Sequence, residues 1–326
     1  MRWNGSRHFE RLATPHAAGG SQMRFSGSDK PPHCCQWHRR LAHLPSALMT
    51  EAAAIGPVLV TGLGLMGGSL AAALTQAGVS VLVHHHRPEV ARAAAERGWG
   101  TAITTFAEAS HARLAVVCTP VGIIASTVRR LIAETNAVIT DVGSAKWELC
   151  AELSDVADRF IGSHPMCGSH LQGLANADAK LYQQRLTLIT PLAQTPVHLI
   201  DAIEKLWNAV GSRTQRLTPE AHDSVVAEAS HLPHILASIT ASMLSVDAAR
   251  VCASGFRDAT RIAGGSPDLW LDILLANRDA IRPLLARSRE RIEVLDAALA
   301  TGDAVAIKNW LTAGKAGRQR FEDAHS

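Results

Sequence analysis

Between Pro57 and about residue 217 the chain alternates short apolar runs, rich in β-branched residues, with longer stretches of helical periodicity. Such runs predict strands, and the stretches between them predict helices. Strands are expected in PVLVTG, VSVLV, LAVVCTP, AVITDVGS, RFIGS and LTLITP, and helices over 66–77, 88–97, 121–133, 146–157 and 197–210. Strands this apolar are typical of a parallel sheet covered on both faces. The pattern therefore predicts an α/β fold with a doubly wound, Rossmann-type, mostly parallel sheet.

The character of the chain changes after TPEAHD (218–223), where Thr218 can cap a helix and Pro219 can open it. Residues 219–247 and 267–314 are rich in Ala, Leu and Ile at spacings of three and four, which predicts long helices. We therefore expect an α/β domain over 50–217, followed by an all-helical C-terminal domain over 218–326.

Residues 1–49 mix Gly, Ser, His and Arg without periodicity, and their acids are Glu10 and Asp29. We expect a disordered leader without a function. A transit peptide is one alternative, because the segment is rich in Arg and poor in acids. An over-extended start, with Met49 as the true initiator, is the alternative that we favour.

Composition bears on the partners of the protein. The chain is 47% hydrophobic and has a formal net charge of +3, with its basic residues dispersed. Neither nucleic acid nor a membrane is indicated as a partner, so we expect a small-molecule substrate. We find no apolar run near the roughly 20 residues that a spanning helix needs, and no secretory signal, which predicts a cytoplasmic protein. The six cysteines lack CxxC spacing, so free thiols are expected rather than disulfides or zinc.

A glycine motif follows the first predicted strand. The run VTGLGLMGGSL contains Gly62, Gly64 and Gly67 in GxGxxG spacing and opens an Ala-rich helix. In that setting the glycines allow a tight turn and close approach of the backbone to a pyrophosphate, and the helix N-terminus at Leu65 and Met66 attracts the anion. The 50–217 domain is thus predicted to bind a dinucleotide. The alternative is a glycine turn needed only for packing.

The end of the second strand bears on the choice of coenzyme. An NAD site usually has an acid there, but this chain has His84, His85, His86 and Arg87. A guanidinium suits a 2′-phosphate, so NADP is favoured over NAD, with Arg87 as its contact. The three histidines also suggest a metal, but neighbours on a strand point to opposite faces and form no chelating set.

Three segments are expected at the carboxyl ends of strands, where α/β sheets bind ligands: CTP (118–120), DVGS (141–144) and GSHPMCGS (162–169). Together with SHLPH (230–234) and GFRDATRIAGGSPDLW (255–270), they resemble the prephenate/arogenate (cyclohexadienyl) dehydrogenase family of tyrosine biosynthesis. The resemblance runs from about Val58 to about Asn277. From their strand-end positions the first three segments are expected to face the nicotinamide, with Thr119 and Pro120 as coenzyme contacts.

The resemblance implies NAD(P)+-dependent oxidative decarboxylation of a cyclohexadienyl substrate. Prephenate would give 4-hydroxyphenylpyruvate, and arogenate would give tyrosine. His164 matches the catalytic histidine of the family. As hydride leaves, the ring hydroxyl becomes a carbonyl and must lose its proton, which a group with a pKa near neutrality can accept. The alternative is a histidine that only satisfies backbone carbonyls at a strand end.

Two further residues match functional positions of the family. Ser144 matches a serine that bonds near the hydroxyl and the nicotinamide and helps to orient the histidine; it could instead cap a helix beginning near Lys146. Arg261 matches the arginine that binds the ring carboxylate, for which a guanidinium fork is suited. Its alternative is a salt bridge between the domains.

The helical domain is implied to line the substrate pocket with Ser230, His231 and His234. The two histidines are three residues apart, on one helical face, and each could instead be a buried structural residue. Ser169 is a weaker pocket candidate. The family loop commonly reads HPMAGSE, whereas this chain has Cys167, which we interpret as a small filler, and His170, which leaves prephenate versus arogenate open.

Two other functions are compatible with a dinucleotide-binding fold, and the sequence argues against each. A β-hydroxyacid-type dehydrogenase or imine reductase usually has a catalytic lysine on its helical domain, but the chain has no lysine between Lys205 and Lys308. A nucleotide-binding sensor that lost catalysis would not be expected to keep His164, Ser144 and Arg261 together. The resemblance also implies a homodimer formed through the helical domain, because the long apolar helices exceed what one chain can cover.

Overall fold

Eight strands form one sheet in the computed structural model, which describes residues 55–167 and 171–325. The strands are β1 Val58–Thr61, β2 Val81–His84, β3 Thr101–Ala102, β4 Leu114–Val117, β5 Val138–Asp141, β6 Phe160–Pro165, β7 Leu186–Thr190 and β8 Arg213–Arg216. Their order across the sheet is β3-β2-β1-β4-β5-β6-β7-β8, and only the β6–β7 pair is antiparallel. The first six strands have the Rossmann order, so the predicted doubly wound, mostly parallel sheet is confirmed.

The two faces of the sheet are covered by helices on either side. These helices are α1 Leu65–Gln76, α2 Pro88–Glu96, α3 Ile124–Glu134, α4 Trp147–Glu152 and α5 Val197–Ala209. Successive residues of a strand point to opposite faces. Accordingly, Val58 and Val60 pack with Leu70 and Trp207 on one side, while Leu59 packs with Val128 on the other. Burial of all four residues of β1 explains why its sequence is a continuous apolar run.

The structure corrects two details of this half of the chain. The helix predicted over 146–157 ends at Glu152 and continues only as a 3₁₀ turn, Ser154–Val156. Strands β3 and β8 were not predicted. The first is two residues long, and the second, RTQR, is a mostly exposed edge strand without an apolar pattern.

The C-terminal region is helical throughout. Its elements are α6 Pro219–Val226, a π-helical turn Ala227–His231, α7 Leu232–Ser242, α8 Val246–Ala249, α9 Ser254–Thr260, a 3₁₀ turn Arg261–Gly264, α10 Pro267–Ala276, α11 Arg278–Thr301 and α12 Ala304–Asp323. Thr218 caps α6 as predicted, since its hydroxyl accepts the Ala221 N–H at 3.2 Å. The helix predicted over 267–314 is three helices, which break at Asn277 and at Gly302, whose φ is +67°.

All described residues belong to one compact unit, so the boundary at residue 217 stays a prediction, although β8 ends at Arg216 and α6 begins at Pro219. The expectation of a leader over 1–49 lies outside the described residues. Among the helices that the structure describes, none has both the length and the apolar character needed to cross a membrane.

Candidate active site

His164 lies near the end of β6, at the edge of the sheet where ligands of this fold bind. Its side chain is almost fully buried. Its Nδ1 is 3.0 Å from Nε2 of His222, which comes from the first turns of α6. The two imidazoles join the α/β sheet to the helical region.

Asp223 continues this chain of hydrogen bonds. Its Oδ1 is 2.7 Å from Nδ1 of His222 and also accepts the Lys146 N–H at 2.8 Å, while its Oδ2 accepts the Trp147 N–H at 2.9 Å. A carboxylate only accepts, so Nδ1 of His222 carries a proton and Nε2 is free to accept. His164 then donates from Nδ1, and its Nε2 keeps an unprotonated lone pair. The contacts thus assign a tautomer to each ring. In the tautomer assigned to His164, the imidazole can act as a base.

Burial controls the charge of these rings. Desolvation, followed by the nearby His222, Lys146 and His231, holds the pKa of His164 well below its usual value. Burial also lowers the pKa of His222, although the hydrogen bond to Asp223 opposes that shift. His164 is therefore neutral near pH 7, as a proton acceptor must be.

Ser144 lies in the loop between β5 and α4, half-buried. The residue at the N-cap position of α4 is Lys146, and the Asp223 carboxylate binds the free N–H groups there. The alternative in which Ser144 caps this helix is thus wrong. Its hydroxyl makes no hydrogen bond to a residue that the structure describes, so it can bind a ligand.

His231 and His234 are buried on opposite sides of a change in helix type. His231 ends the π-helical turn and His234 lies in α7. Both rings contact Trp270, edge-on to His231 at 6.0 Å and stacked on His234 at 3.4 Å between centroids. Nε2 of His231 and Nδ1 of His234 are buried without a partner among the described residues, which suits polar contacts to a ligand. Ser230, in the same turn, is half-buried.

Arg261 is exposed and begins the 3₁₀ turn that packs against α7. Among the residues that the structure describes, none forms a hydrogen bond or an ion pair with it, so the salt bridge given as its alternative is not seen there. The same segment reaches the histidine cluster, because a Cβ at Gly265 would lie 3.4 Å from Cε1 of His234 and 2.6 Å from Nε1 of Trp270. No described contact joins Arg261 to His164.

The glycine loop fits a dinucleotide. Gly62 has φ +91°, and a Cβ there would lie 2.6 Å from the backbone of Cys118 at the end of β4. A Cβ at Gly67 would lie 2.0 Å from the Gly62 carbonyl oxygen, whereas Gly64 faces open space. Tyr182 donates a hydrogen bond to the Met66 carbonyl at 2.8 Å, which holds the start of α1 next to Leu65. The loop therefore leaves room for a pyrophosphate at the helix N-terminus.

The end of β4 presents a second polar group to the same edge. The Thr119 hydroxyl is buried without a hydrogen-bond partner in the described chain. Pro120, which follows, is exposed and precedes a 3₁₀ turn. An unpaired hydroxyl at this edge suits a carboxamide, which offers both a donor and an acceptor.

At the end of β2, Arg87 is exposed and occupies the N-cap position of α2. Its N–H donates to Nδ1 of His85 at 3.0 Å. His84 is engaged elsewhere, 2.8 Å from the Thr61 hydroxyl and packed on Phe106. No cluster of three or more metal-ligating side chains occurs within the described ranges.

The loop after β6 is described only in part. Cys167 is buried, and desolvation raises the pKa of its thiol to about 12, as expected of a small packing residue. Ser169 and His170 lie outside the described residues.

Sequence reasoning missed most of the polar partners of His164. The sequence pattern places His222 and Asp223 only at a helix start, and Asp141 and Lys146 only at a strand end and a helix start. Asn277 also belongs here, since its Nδ2 lies 2.9 Å from the Asp223 carbonyl oxygen and 3.1 Å from Nδ1 of His231. The available signal was charged and imidazole side chains at the boundaries of apolar elements, where burial demands partners.

The fold and this site define a nucleotide-dependent dehydrogenase with a helical C-terminal region. The family model described as the nucleotide-binding domain of prephenate dehydrogenase matches residues 70–216, and the one described as its dimerization domain matches 218–313. The chain belongs to the prephenate dehydrogenase family, whose members are oxidoreductases of tyrosine biosynthesis.

Individual relatives agree with this assignment. The cyclohexadienyl dehydrogenase of Zymomonas mobilis is 33% identical over 263 residues, covering 76% of this chain and 89% of that protein. The crystal structure of prephenate dehydrogenase from A. aeolicus with hydroxyphenyl propionate and NAD+ has a TM-score of 0.74 and 26% identity, covering 81% of this chain and 97% of that one. Synechocystis arogenate dehydrogenase has a TM-score of 0.72 and 27% identity, covering 81% and 99%.

The burial of His231 predicts a loss of stability in acid. Desolvation lowers the pKa of His231 to about 4, whereas the unfolded chain has the ordinary value near 6.5. The unfolded chain thus binds this proton more tightly, and stability is lost as the pH falls below about 6.5. Between about pH 7 and about pH 5, the free energy of unfolding should fall by about 2 kcal/mol more in the wild type than in His231→Asn. Asparagine is chosen because its side-chain oxygen can still accept a hydrogen bond from Asn277.

Urea unfolding at both pH values measures this difference. The matched control is His198→Asn, which removes an exposed imidazole of α5 and should leave the wild-type pH dependence unchanged. An equal loss of unfolding free energy in wild type and His231→Asn would contradict the prediction, because it would mean that folding does not lower the pKa of His231.

Proposed function

We propose that the protein catalyses NAD(P)+-dependent oxidative decarboxylation of prephenate to 4-hydroxyphenylpyruvate. The observation that carries the proposal is the buried His164–His222–Asp223 chain, which leaves Nε2 of His164 as a proton acceptor at the ligand-binding edge of the sheet. Arogenate, which would give tyrosine, is the alternative substrate; the similarity to an arogenate dehydrogenase supports it.

Bound NAD(P)+ supplies the hydride acceptor of this reaction. Nε2 of His164 takes the proton of the ring hydroxyl as the carbon that bears it becomes a carbonyl carbon. When carbon dioxide leaves the opposite ring carbon, its bonding electrons make the ring aromatic and the oxygen a phenolate. His164 then returns the proton to that oxygen. The imidazole is thus unchanged after each cycle, and protons balance.

The partners of His164 support the charge it gains. When Nε2 receives the substrate proton, Nδ1 of His164 donates more strongly to His222, which in turn donates to the Asp223 carboxylate. The positive charge is thereby spread toward a buried anion. Ser144 is assigned to the substrate hydroxyl, because its own hydroxyl can donate and accept at once.

The substrate carboxylates require cationic and polar partners. Arg261, which makes no described ion pair, is assigned to the ring carboxylate, where a guanidinium binds in a bidentate manner. Ser230, His231 and His234 are assigned to the pocket wall, and the unpartnered nitrogens of the two histidines support this assignment. Ser169 stays a proposal from the resemblance.

Kinetics with purified protein test the proposal. Wild type should reduce the coenzyme with prephenate, as measured by the absorbance of the reduced nicotinamide, and should release 4-hydroxyphenylpyruvate. His164→Asn should lower kcat by at least about a hundredfold with little change in coenzyme affinity, because only proton transfer is lost. Arg261→Ala should instead mainly raise KM.

Each outcome distinguishes the assignments. Reaction with arogenate but not with prephenate would show that arogenate is the substrate. A His164→Asn enzyme as active as wild type would refute the base. An interchange of the two phenotypes would mean that the roles of His164 and Arg261 are interchanged. Binding of coenzyme without turnover of either substrate would favour a sensor.

We propose NADP as the preferred coenzyme, because the end of β2 carries Arg87 where an acid would be expected to bind the ribose hydroxyls of NAD. Arg87→Ala should weaken NADP binding by about tenfold or more, the effect of losing a charge-assisted hydrogen bond, and NAD binding far less. Titration of coenzyme fluorescence measures both. Arg92→Ala, which removes an exposed arginine from α2, is the control, and equal losses for NADP and NAD in Arg87→Ala would refute a phosphate contact.

We propose a homodimer that buries helical surface. The described helices expose many large apolar side chains, among them Ile292 and Leu299, seven residues apart on α11. The matching family model is described as a dimerization domain. A location in the cytoplasm stays a prediction.

Sedimentation should give a dimer at micromolar concentration. Ile292→Lys/Leu299→Lys should shift it toward monomer, because buried ammonium groups oppose association. The control is Val197→Lys, which changes an exposed apolar residue of α5 in the α/β region. A wild-type monomer would refute the dimer, and equal effects of the variants would refute this interface.

A further inference from the structure

The Asp141–Lys146 ion pair lies inside the α/β region, with both side chains fully buried and Nζ 2.5 Å from Oδ2. Moving two charges out of water costs several kcal/mol, and their attraction often fails to offset it. A buried pair is therefore weak evidence for a role in stability alone. Its contacts indicate what else it does.

Asp141 is the last residue of β5 and binds two backbone N–H groups. Its Oδ1 accepts the Ser163 N–H at 3.1 Å, and its Oδ2 accepts the Gly143 N–H at 2.8 Å. Ser163 directly precedes His164, and Gly143 directly precedes Ser144. One carboxylate thus holds the peptides before both proposed catalytic side chains.

Lys146 connects this carboxylate to the second one. Its ammonium binds Asp141, while its backbone N–H donates to Asp223 at 2.8 Å. The contacts close a hydrogen-bonded ring, in which each neighbour is bonded to the next: His164, His222, Asp223, Lys146, Asp141 and Ser163, which is covalently joined to His164.

Two glycines make room for the Lys146 side chain. A Cβ at Gly162 would lie 2.9 Å from Cδ of Lys146 and 2.5 Å from the Thr190 hydroxyl, and a Cβ at Gly143 would lie 3.2 Å from Nζ. Strand β6 and the loop after β5 therefore fit closely around the lysine. A shift of its ammonium would displace the Asp141 carboxylate and the two peptides bound to it.

We propose that Asp141 and Lys146 are positioning residues, which hold His164, Ser144 and His222 in register across the hydrogen-bonded ring. The proposal rests on the proposed function, in which His164 is the base. The Asp141 carboxylate is needed because both of its oxygens accept hydrogen bonds. An amide at this position would place its own N–H group against one of the N–H donors that now bind the carboxylate. The ammonium is needed because it balances the carboxylate and fixes its rotation.

A double variant separates positioning from stability. Asp141→Asn and Lys146→Met should each destabilise the fold, because each leaves an unpaired buried charge. Asp141→Asn/Lys146→Met removes both charges and should recover thermal stability and coenzyme affinity. Its kcat should still be at least about tenfold below wild type, because misplacement of a catalytic group by a fraction of an ångström lowers the rate. The matched control, Arg129→Met/Asp155→Asn, removes an exposed ion pair of the same region and should keep wild-type kcat.

The pH profile gives a readout that a merely structural role would not change. Lys146 is one of the groups that lower the pKa of His164, together with burial, His222 and His231. Loss of its charge in Lys146→Met, which keeps the Asp141 carboxylate, should therefore move the acidic limb of kcat to higher pH. An unshifted pH profile in Lys146→Met, or recovery of wild-type kcat along with stability in the double variant, would overturn the proposal.

Nuclear magnetic resonance tests the ring without substrate. In the wild type, isotope-labelled imidazole nitrogens should report a proton on Nδ1 of His164 and none on Nε2, and the double variant should show mixed tautomers. Identical spectra for both proteins would overturn the positioning role. A wild type inactive with both substrates would refute the proposed function, while these spectra would still decide whether the pair orders the imidazoles.

Discussion

A buried carboxylate must be met by hydrogen-bond donors, and Asp223 meets this requirement with donors from two parts of the chain. Two are backbone N–H groups at the start of α4, and the third is the imidazole of His222. Because the carboxylate can only accept, it determines the proton position on His222, and His222 in turn determines it on His164. One acceptor from the helical region thus sets the chemistry of a histidine on the sheet.

The charges around His164 act in opposite directions. Burial and the Lys146 ammonium favour the neutral imidazole, while the Asp223 carboxylate favours a positive charge on its neighbour His222. With neutral imidazoles the two carboxylates exceed the ammonium by one negative charge. His164 is therefore neutral at rest, yet a proton that reaches it lies next to a path toward an anion. This combination suits a base that must release its proton within the same cycle.

The sequence patterns predicted those elements whose burial follows directly from their position, such as a strand covered on both faces. β1 is apolar at every position because helices cover both of its faces, and the GxGxxG loop is recognisable because its glycines are required by close backbone contacts. β8 carries polar residues because it lies at a sheet edge, so its pairing with β7 could not be read from its composition. The breaks in the helical region depend on single residues such as Gly302, which periodicity alone does not resolve.

The sequence by itself determined the six apolar strands and the helices between them, the dinucleotide loop and the family, because these depend on local periodicity and short motifs. It also indicated His164 and Ser144 through the segments at the strand ends. Only the tertiary structure decided which groups His164 bonds, since His222 and Asp223 are about 58 residues away along the chain and approach it when α6 packs on the sheet. Likewise Lys146 and Asp141 become a buried pair only when β5, β6 and α4 are assembled. Burial makes unpaired polar groups costly, and the partners that satisfy them are selected by packing in three dimensions rather than by neighbours in sequence.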